Sequence, residues 1–216
     1  MPSPTPILPP IEKTAILLID PYNDFIHPSG KLHSLLAESL QSSNAIVHIL
    51  SLLTAARKPK IPVYYGLHQP FKASSFAGWK HKKGVHESQE EGRVFEEGSW
   101  GERIFEGMEP VFGNGDVVVS KHWSSSSFQN TDLDYHLHQR EITHVVLAGF
   151  TTNHCVEATG RYAYDLGYET TFLSDATAGF GTELKDVATD LIWPLFANNV
   201  ITTDEFIGTL SRGGKE

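Results

Sequence analysis

One cysteine, Cys155, in 216 residues leaves nothing for a disulfide within the chain, and it excludes zinc sites built from several thiolates. Basic residues are also scarce: 17 Lys and Arg against 26 Asp and Glu give a formal charge of −9. That balance argues against a nucleic-acid surface, which needs a clustered basic stripe. Long apolar runs are missing too, and stretches such as Ala15–Ile19 and Val145–Gly149 are far too short to span a bilayer. The opening MPSPTPILPPIEK has no basic region followed by an apolar one, so it does not read as a secretory leader. The closing SRGGKE matches no anchor or retention signal. What is present is an ordinary globular mixture, 40% hydrophobic and 20% charged. The expectation is a soluble cytoplasmic domain without nucleic-acid or membrane partners. Its single thiol is either packing or chemistry.

Residues 1–12 read as a proline-rich arm, and 13–216 as one domain. Strands are expected at Thr14–Asp20, Ile61–Gly66, Asp116–Lys121, Thr143–Gly149, Glu169–Ser174 and Val200–Thr202. A long helix is expected from His33 to Arg57, striped by Leu36, Leu40, Ile46, Val47, Leu50 and Leu53 and stopped by Lys58 and Pro59. Two more are expected from Cys155 to Leu166 and over Glu183–Phe196. Strands alternating with helices predict an α/β fold with a parallel sheet and right-handed crossovers. Residues 67–115 break the pattern and show little periodicity. A stretch of that length is expected to be functional, as a cover over a site or an oligomer contact, with a short helix near Trp100–Phe105.

Open parallel sheets bind ligands beyond the carboxyl ends of their strands. Here the first strand ends at Asp20, the third at Lys121, and the fourth leads through a short turn to Cys155 at a helix start. Each residue has a bland reading: a turn residue, a solvated lysine, a buried thiol that only packs. Together they supply one chemistry. Unpaired N–H groups in an opening helical turn favour a thiolate and can face a developing oxyanion. Asp20 would take the thiol proton and later pass it to a leaving group. Lys121 would stabilise the thiolate and hold Asp20 by charge. A cysteine–histidine arrangement competes, because His154 and His122 neighbour two of these residues. Adjacent positions point different ways, however, so neither is an obvious base.

Three segments carry a resemblance: LLIDPYNDF (17–25), VVVSKHWSSSSF (117–128) and LAGFTTNHCVEATGRYAYDLGYETTFLSDAT (147–177). In that order and spacing the chain resembles the isochorismatase-like cysteine hydrolases, which include nicotinamidases and N-carbamoylsarcosine amidase. The resemblance implies a three-layer fold with a six-stranded parallel sheet, order 3-2-1-4-5-6, flanked by helices. It implies an Asp–Lys–Cys triad carried onto Asp20, Lys121 and Cys155. It also implies a cis peptide at Phe150–Thr151, aiming the Thr151 N–H with that of Cys155 at the substrate carbonyl oxygen. A homodimer or homotetramer is the implied assembly. Nicotinamidases hold a metal through an Asp-x-His pair after the second strand; here YYGLHQPF keeps His68 but has Gly66 where the carboxylate is needed. No metal and no cofactor are therefore expected. His136 and His138, two apart on a predicted helix, make a poor ligand pair.

Phe25, Trp123, Phe128 and Asn153 are expected to line the substrate pocket, and Trp79, Trp100 and Phe105 to close it or to meet a neighbouring subunit. AGFGTELK lacks the third glycine and the strand–helix context of a dinucleotide loop. The expected activity is metal-independent hydrolysis of a C–N bond in a small amide or ureide through a Cys155 thioester. Cleavage of a vinyl ether, and a non-catalytic interaction protein of the same fold, are the alternatives.

Overall fold

The structure, a computed structural model, describes residues 10–210. Most of the arm expected over 1–12, and the SRGGKE end, fall outside the described residues. One all-parallel sheet contains β1 (Thr14–Ile19), β2 (Val63–Gly66), β3 (Val117–Val118), β4 (His144–Phe150), β5 (Glu169–Ala178) and β6 (Asn199–Ile201). Their order is β3-β2-β1-β4-β5-β6. Helices are α1 (Asn23–Ile26), α2 (His33–Ser43), α3 (Ala45–Arg57), α4 (Gly84–Gly92), α5 (Leu133–Gln139), α6 (Glu157–Asp165), α7 (Thr182–Asp186) and α8 (Thr203–Leu210).

The continuous apolar runs of β1 and β4 are buried on both faces, as parallel strands between two helix layers must be. Alternation divides them. Ile16, Leu18, Val146 and Ala148 join the core made with Leu36, Ile49, Leu52 and Phe206. Ala15, Leu17, Val145 and Leu147 join the opposite core, with Leu133, Leu137, Val156 and Trp193. Each fully buried Leu or Ile contributes roughly 1.5–3 kcal/mol, so the two faces together fix the register. That register pairs Ile19 with both Gly66 and Gly149, which brings three strand ends level. At Gly149 (φ +115) a Cβ would collide with the Ile19 carbonyl, so β1 and β4 close up just before the site.

Several boundaries differ from the sequence reading. The long helix is two, because Asn44 takes the left-handed conformation (φ 51) between α2 and α3. The third strand shrinks to two residues; past it, His68 and His122 form an isolated parallel bridge. Downstream of α7 the chain runs through a wide π segment, Val187–Ile192, and a 3-10 turn, Trp193–Leu195, where Pro194 has no N–H to give. Within 67–115 the helix is α4, whereas the Trp100–Phe105 stretch is turns and an antiparallel bridge from Ile104 to Tyr22.

Candidate active site

Asp20 follows β1 in left-handed backbone (φ 48), which Asp tolerates better than most residues. Its N–H donates to Gly66 O (2.9 Å), and the Tyr22 N–H donates to its carbonyl (2.7 Å). This turn drives the carboxylate inward, where it is buried. Oδ1 accepts the His68 N–H at 2.7 Å and lies 3.2 Å from His122 Nε2. Oδ2 has no hydrogen-bond partner among the described residues. Burial alone would raise the Asp20 carboxyl. His122, by charge and hydrogen bond, then His68 and the Cys155 thiol, outweigh that and hold it below the usual carboxylate range.

Cys155 arrives from the neighbouring strand. The Phe150–Thr151 peptide after β4 is cis. Thr152–Val156 then makes a wide π turn that runs into α6, so Cys155 sits in that turn rather than in a first α turn. Burial pushes the thiol well above its ordinary value, the Asp20 charge and hydrogen bond push it further, and a hydrogen bond from the Thr151 backbone opposes them. The resting sulfur is therefore a thiol against a carboxylate. Burial beside Asp20 opposes the thiolate expected from a helix start and outweighs the backbone N–H groups.

Lys121 makes no hydrogen bond or ion pair with Asp20 or Cys155; it is paired elsewhere. Its Nζ pairs with Glu102 Oε1 at 2.9 Å and lies 6.0 Å from the Tyr22 ring centre. In extended chain, successive side chains point to opposite sides. The bonds Gln69 N–H to His122 O (2.8 Å) and His122 N–H to Leu67 O (2.9 Å) set the parity so that His122 faces in and Lys121 faces out. His122 stands where the sequence reading put a lysine. His154 also departs from expectation: Nδ1 is 3.5 Å from Cys155 Sγ and Nε2 is 3.1 Å from Ser125 Oγ. The wide turn places these two neighbours on one side, and burial lowers the His154 imidazole.

A cavity of about 300 Å³ opens over Asp20, Thr151, His154 and Cys155. Phe25 lines it. Trp123 instead packs at a tilt against Trp79 (5.4 Å between ring centres, 47° between planes) outside the cavity lining. Phe128 is core, 5.7 Å from the Tyr168 ring. Asn153 does not reach the lining; its Oδ1 is buried beside Gly179. Trp100 packs edge-on to His27 and Phe105 packs against the core, so neither closes the cavity. The cover is made by Val85, Gln89, Val94 and Phe95 from 67–115, together with Phe180 from AGFGTELK. Scattered apolar residues without periodicity gave no sequence signal for that role.

The residues do not fit a metal of the nicotinamidase kind. Among the described residues no group of three or more His, Cys, Asp or Glu side chains converges on one point. A Cβ at Gly66 would collide with the Ser127 side chain, so nothing larger fits where the carboxylate would stand. His68 Nδ1 is 2.9 Å from Gln69 O. His136 and His138 pair with Asp132 (3.6 Å) and Asp134 (3.2 Å) on α5.

A thiol and a carboxylate in a cleft beyond the strand ends of an all-parallel sheet define an α/β enzyme site. The isochorismatase domain family model matches residues 14–205, and the chain belongs to the isochorismatase family. It is 30% identical over 222 residues to the ureidoacrylate amidohydrolase RutB of Caulobacter segnis, covering 98% of this chain and 90% of the relative. A cysteine hydrolase from Pseudomonas syringae pv. phaseolicola superposes with TM-score 0.79 at 25% identity, over 99% of this chain and 100% of that one. The N-carbamoylsarcosine amidase of Thermoplasma acidophilum does so with TM-score 0.63 at 25% identity, over 89% and 97%. The chain is a hydrolase of the class acting on carbon–nitrogen bonds other than peptide bonds. No helix among the described residues is long and apolar enough to cross a membrane.

Proposed function

We propose that the protein hydrolyses the C–N bond of a small amide or ureide through a Cys155 thioester, with Asp20 as the proton carrier and His122 as the residue that positions it. The observation that carries this reading is the buried Cys155 thiol beside the buried Asp20 carboxylate, both lining one cavity. Relatives named for ureidoacrylate and N-carbamoylsarcosine support a ureide or amide carbonyl.

Sγ attacks the carbonyl carbon as its proton passes to Asp20, whose Oδ2 is uncommitted. Ordinary thiol and carboxyl values lie about 4.6 units apart, so this transfer costs roughly 6 kcal/mol before the site widens the gap. A turnover near 10 per second corresponds to a barrier of about 16 kcal/mol, which accommodates that cost. The Thr151 and Cys155 N–H groups hold the oxyanion. Asp20 then protonates the departing nitrogen, and ammonia or an amine leaves the thioester behind. Asp20 next takes a proton from water, which adds to the thioester carbonyl. The acid departs and Cys155 is a thiol again. His68 N–H and His122 keep Oδ1 fixed throughout.

The test is intact-mass analysis of the protein quenched during turnover of small amides. An acyl adduct on Cys155, and ammonia release that Cys155→Ala and Cys155→Ser both abolish, is the expected result. Undiminished turnover by Cys155→Ala, or turnover of a vinyl ether with no adduct, overturns it.

A further inference from the structure

We infer that the site selects neutral amides with an apolar acyl group and rejects acyl groups that carry a carboxylate. This rests on the amidohydrolase reading above and adds the substrate class to it. Phe25, Leu32, Leu35, Val94, Phe95 and Phe180 form an apolar wall of the cavity of about 300 Å³. Among the described residues no lysine or arginine lines it, and the one carboxylate is that of Asp20.

Of the polar groups on the wall, Gln89 and His154 are engaged, while His68 Nε2 and Asp20 Oδ2 have no partner among the described residues. Gln89 Nε2 donates to Gln69 O (2.9 Å) and lies 3.4 Å from His68 Nδ1. Four cations on the flanking segments are held elsewhere: Lys121 by Glu102, Lys82 by Glu90, Arg93 by Glu96, and Lys31 by the Arg93 carbonyl; Lys83, beside Gly84, is exposed and outside the lining. An acyl group ending in a carboxylate would leave water for an apolar wall with no counter-ion, while drawing close to the Asp20 charge. An acyl group ending in branched carbon would bury apolar surface against the same wall at no such cost. The relative named for ureidoacrylate is named for a carboxylate-bearing compound; no lysine or arginine among the described residues meets such a group in this cavity.

Two amides of nearly equal shape separate the cases: 4-methylpentanamide and succinamate differ by an isopropyl group in place of a carboxylate. Their binding to the full chain carrying Cys155→Ala, measured by calorimetry near neutral pH, is expected to favour the neutral amide by about 30-fold or more. Val85→Arg, which adds a cation to the wall, is expected to reduce that preference at least 10-fold by strengthening succinamate. Equal or tighter binding of succinamate overturns the inference, and so does failure of 4-methylpentanamide to bind. Ammonia release from 4-methylpentanamide by the unaltered protein is scored separately. Selective binding without release overturns the hydrolase reading and upholds the apolar preference.

Discussion

His122 Nε2 lies 3.2 Å from Asp20 Oδ1, both side chains buried, while the adjacent Lys121 turns away to Glu102. The histidine, not the lysine, holds the carboxylate that faces the thiol. Losing a hydrogen bond to a buried charge costs about 1.5–3 kcal/mol. His122→Ala is therefore expected to lower kcat/KM by about 100-fold, which is ~2.7 kcal/mol of transition-state stabilisation. The Lys121–Glu102 pair is part-exposed and worth at most about 1 kcal/mol, so Lys121→Ala should stay within about 5-fold. Steady-state kinetics of the two variants decides; a larger loss at Lys121 would return the triad to its lysine form.

The Asp20–Cys155 pair makes opposite demands on two assays. The Asp20 charge and hydrogen bond help keep the thiol protonated, second only to burial. Asp20→Asn removes the charge, so more thiolate exists at a given pH and iodoacetamide should alkylate Cys155 several-fold faster at pH 8. The same variant has no proton carrier and should lose about 1000-fold or more in amide turnover. An alkylation rate that stays put would show that Asp20 does not govern the sulfur.

Two buried histidines tie stability to pH. Burial lowers His144, held between Thr14 and Thr171, to about 4, and lowers His68 to about 4 with help from His122. An unfolded histidine takes a proton near 6.5. Between those values the unfolded chain binds more protons than the folded one, so stability falls as pH drops from 6.5 towards 4. Each group contributes on the order of 3 kcal/mol over that window. Urea unfolding at stepped pH should show the slope, and His144→Gln should make it shallower. A slope unchanged in that variant would mean that His144 is not neutral in the fold.

The closeness of β1 and β4 has a separate signature. A Cβ at Gly149 would meet backbone atoms of Ile19 at a positive φ, so neither side-chain rotation nor a small shift relieves it. Gly149→Ala should cost about 3 kcal/mol or more of folding stability, measured by chemical denaturation. A cost below about 1 kcal/mol would mean that the strand ends can separate freely.

The parallel sheet was legible because its strands are buried on both faces and therefore nearly all apolar, which leaves a mark in the residues themselves. Asp20 and Cys155 were legible as residues closing or following such strands. The 67–115 segment was legible as a cover or an oligomer contact, but not which of its residues face the cavity, since Val85, Val94 and Phe95 line it without any repeat. Phe128 and Trp123 were misplaced for a related reason: an aromatic near a strand end has the same composition whether it faces a core, another aromatic or a cavity.

By itself the sequence determined that the lone cysteine had no disulfide or thiolate-zinc role, and that it followed a buried strand beside an acid from another. Periodicity and order along the chain are enough for that. Which neighbour of the third strand turned inward was a question of parity, set by hydrogen bonds between residues 67–69 and 122 that only the assembled sheet supplies. The protonation of the thiol was likewise tertiary, because burial and a carboxylate 135 positions away in the chain outweigh the local turn. Local pattern names the reacting groups; long-range packing decides which way they face and what charge they carry.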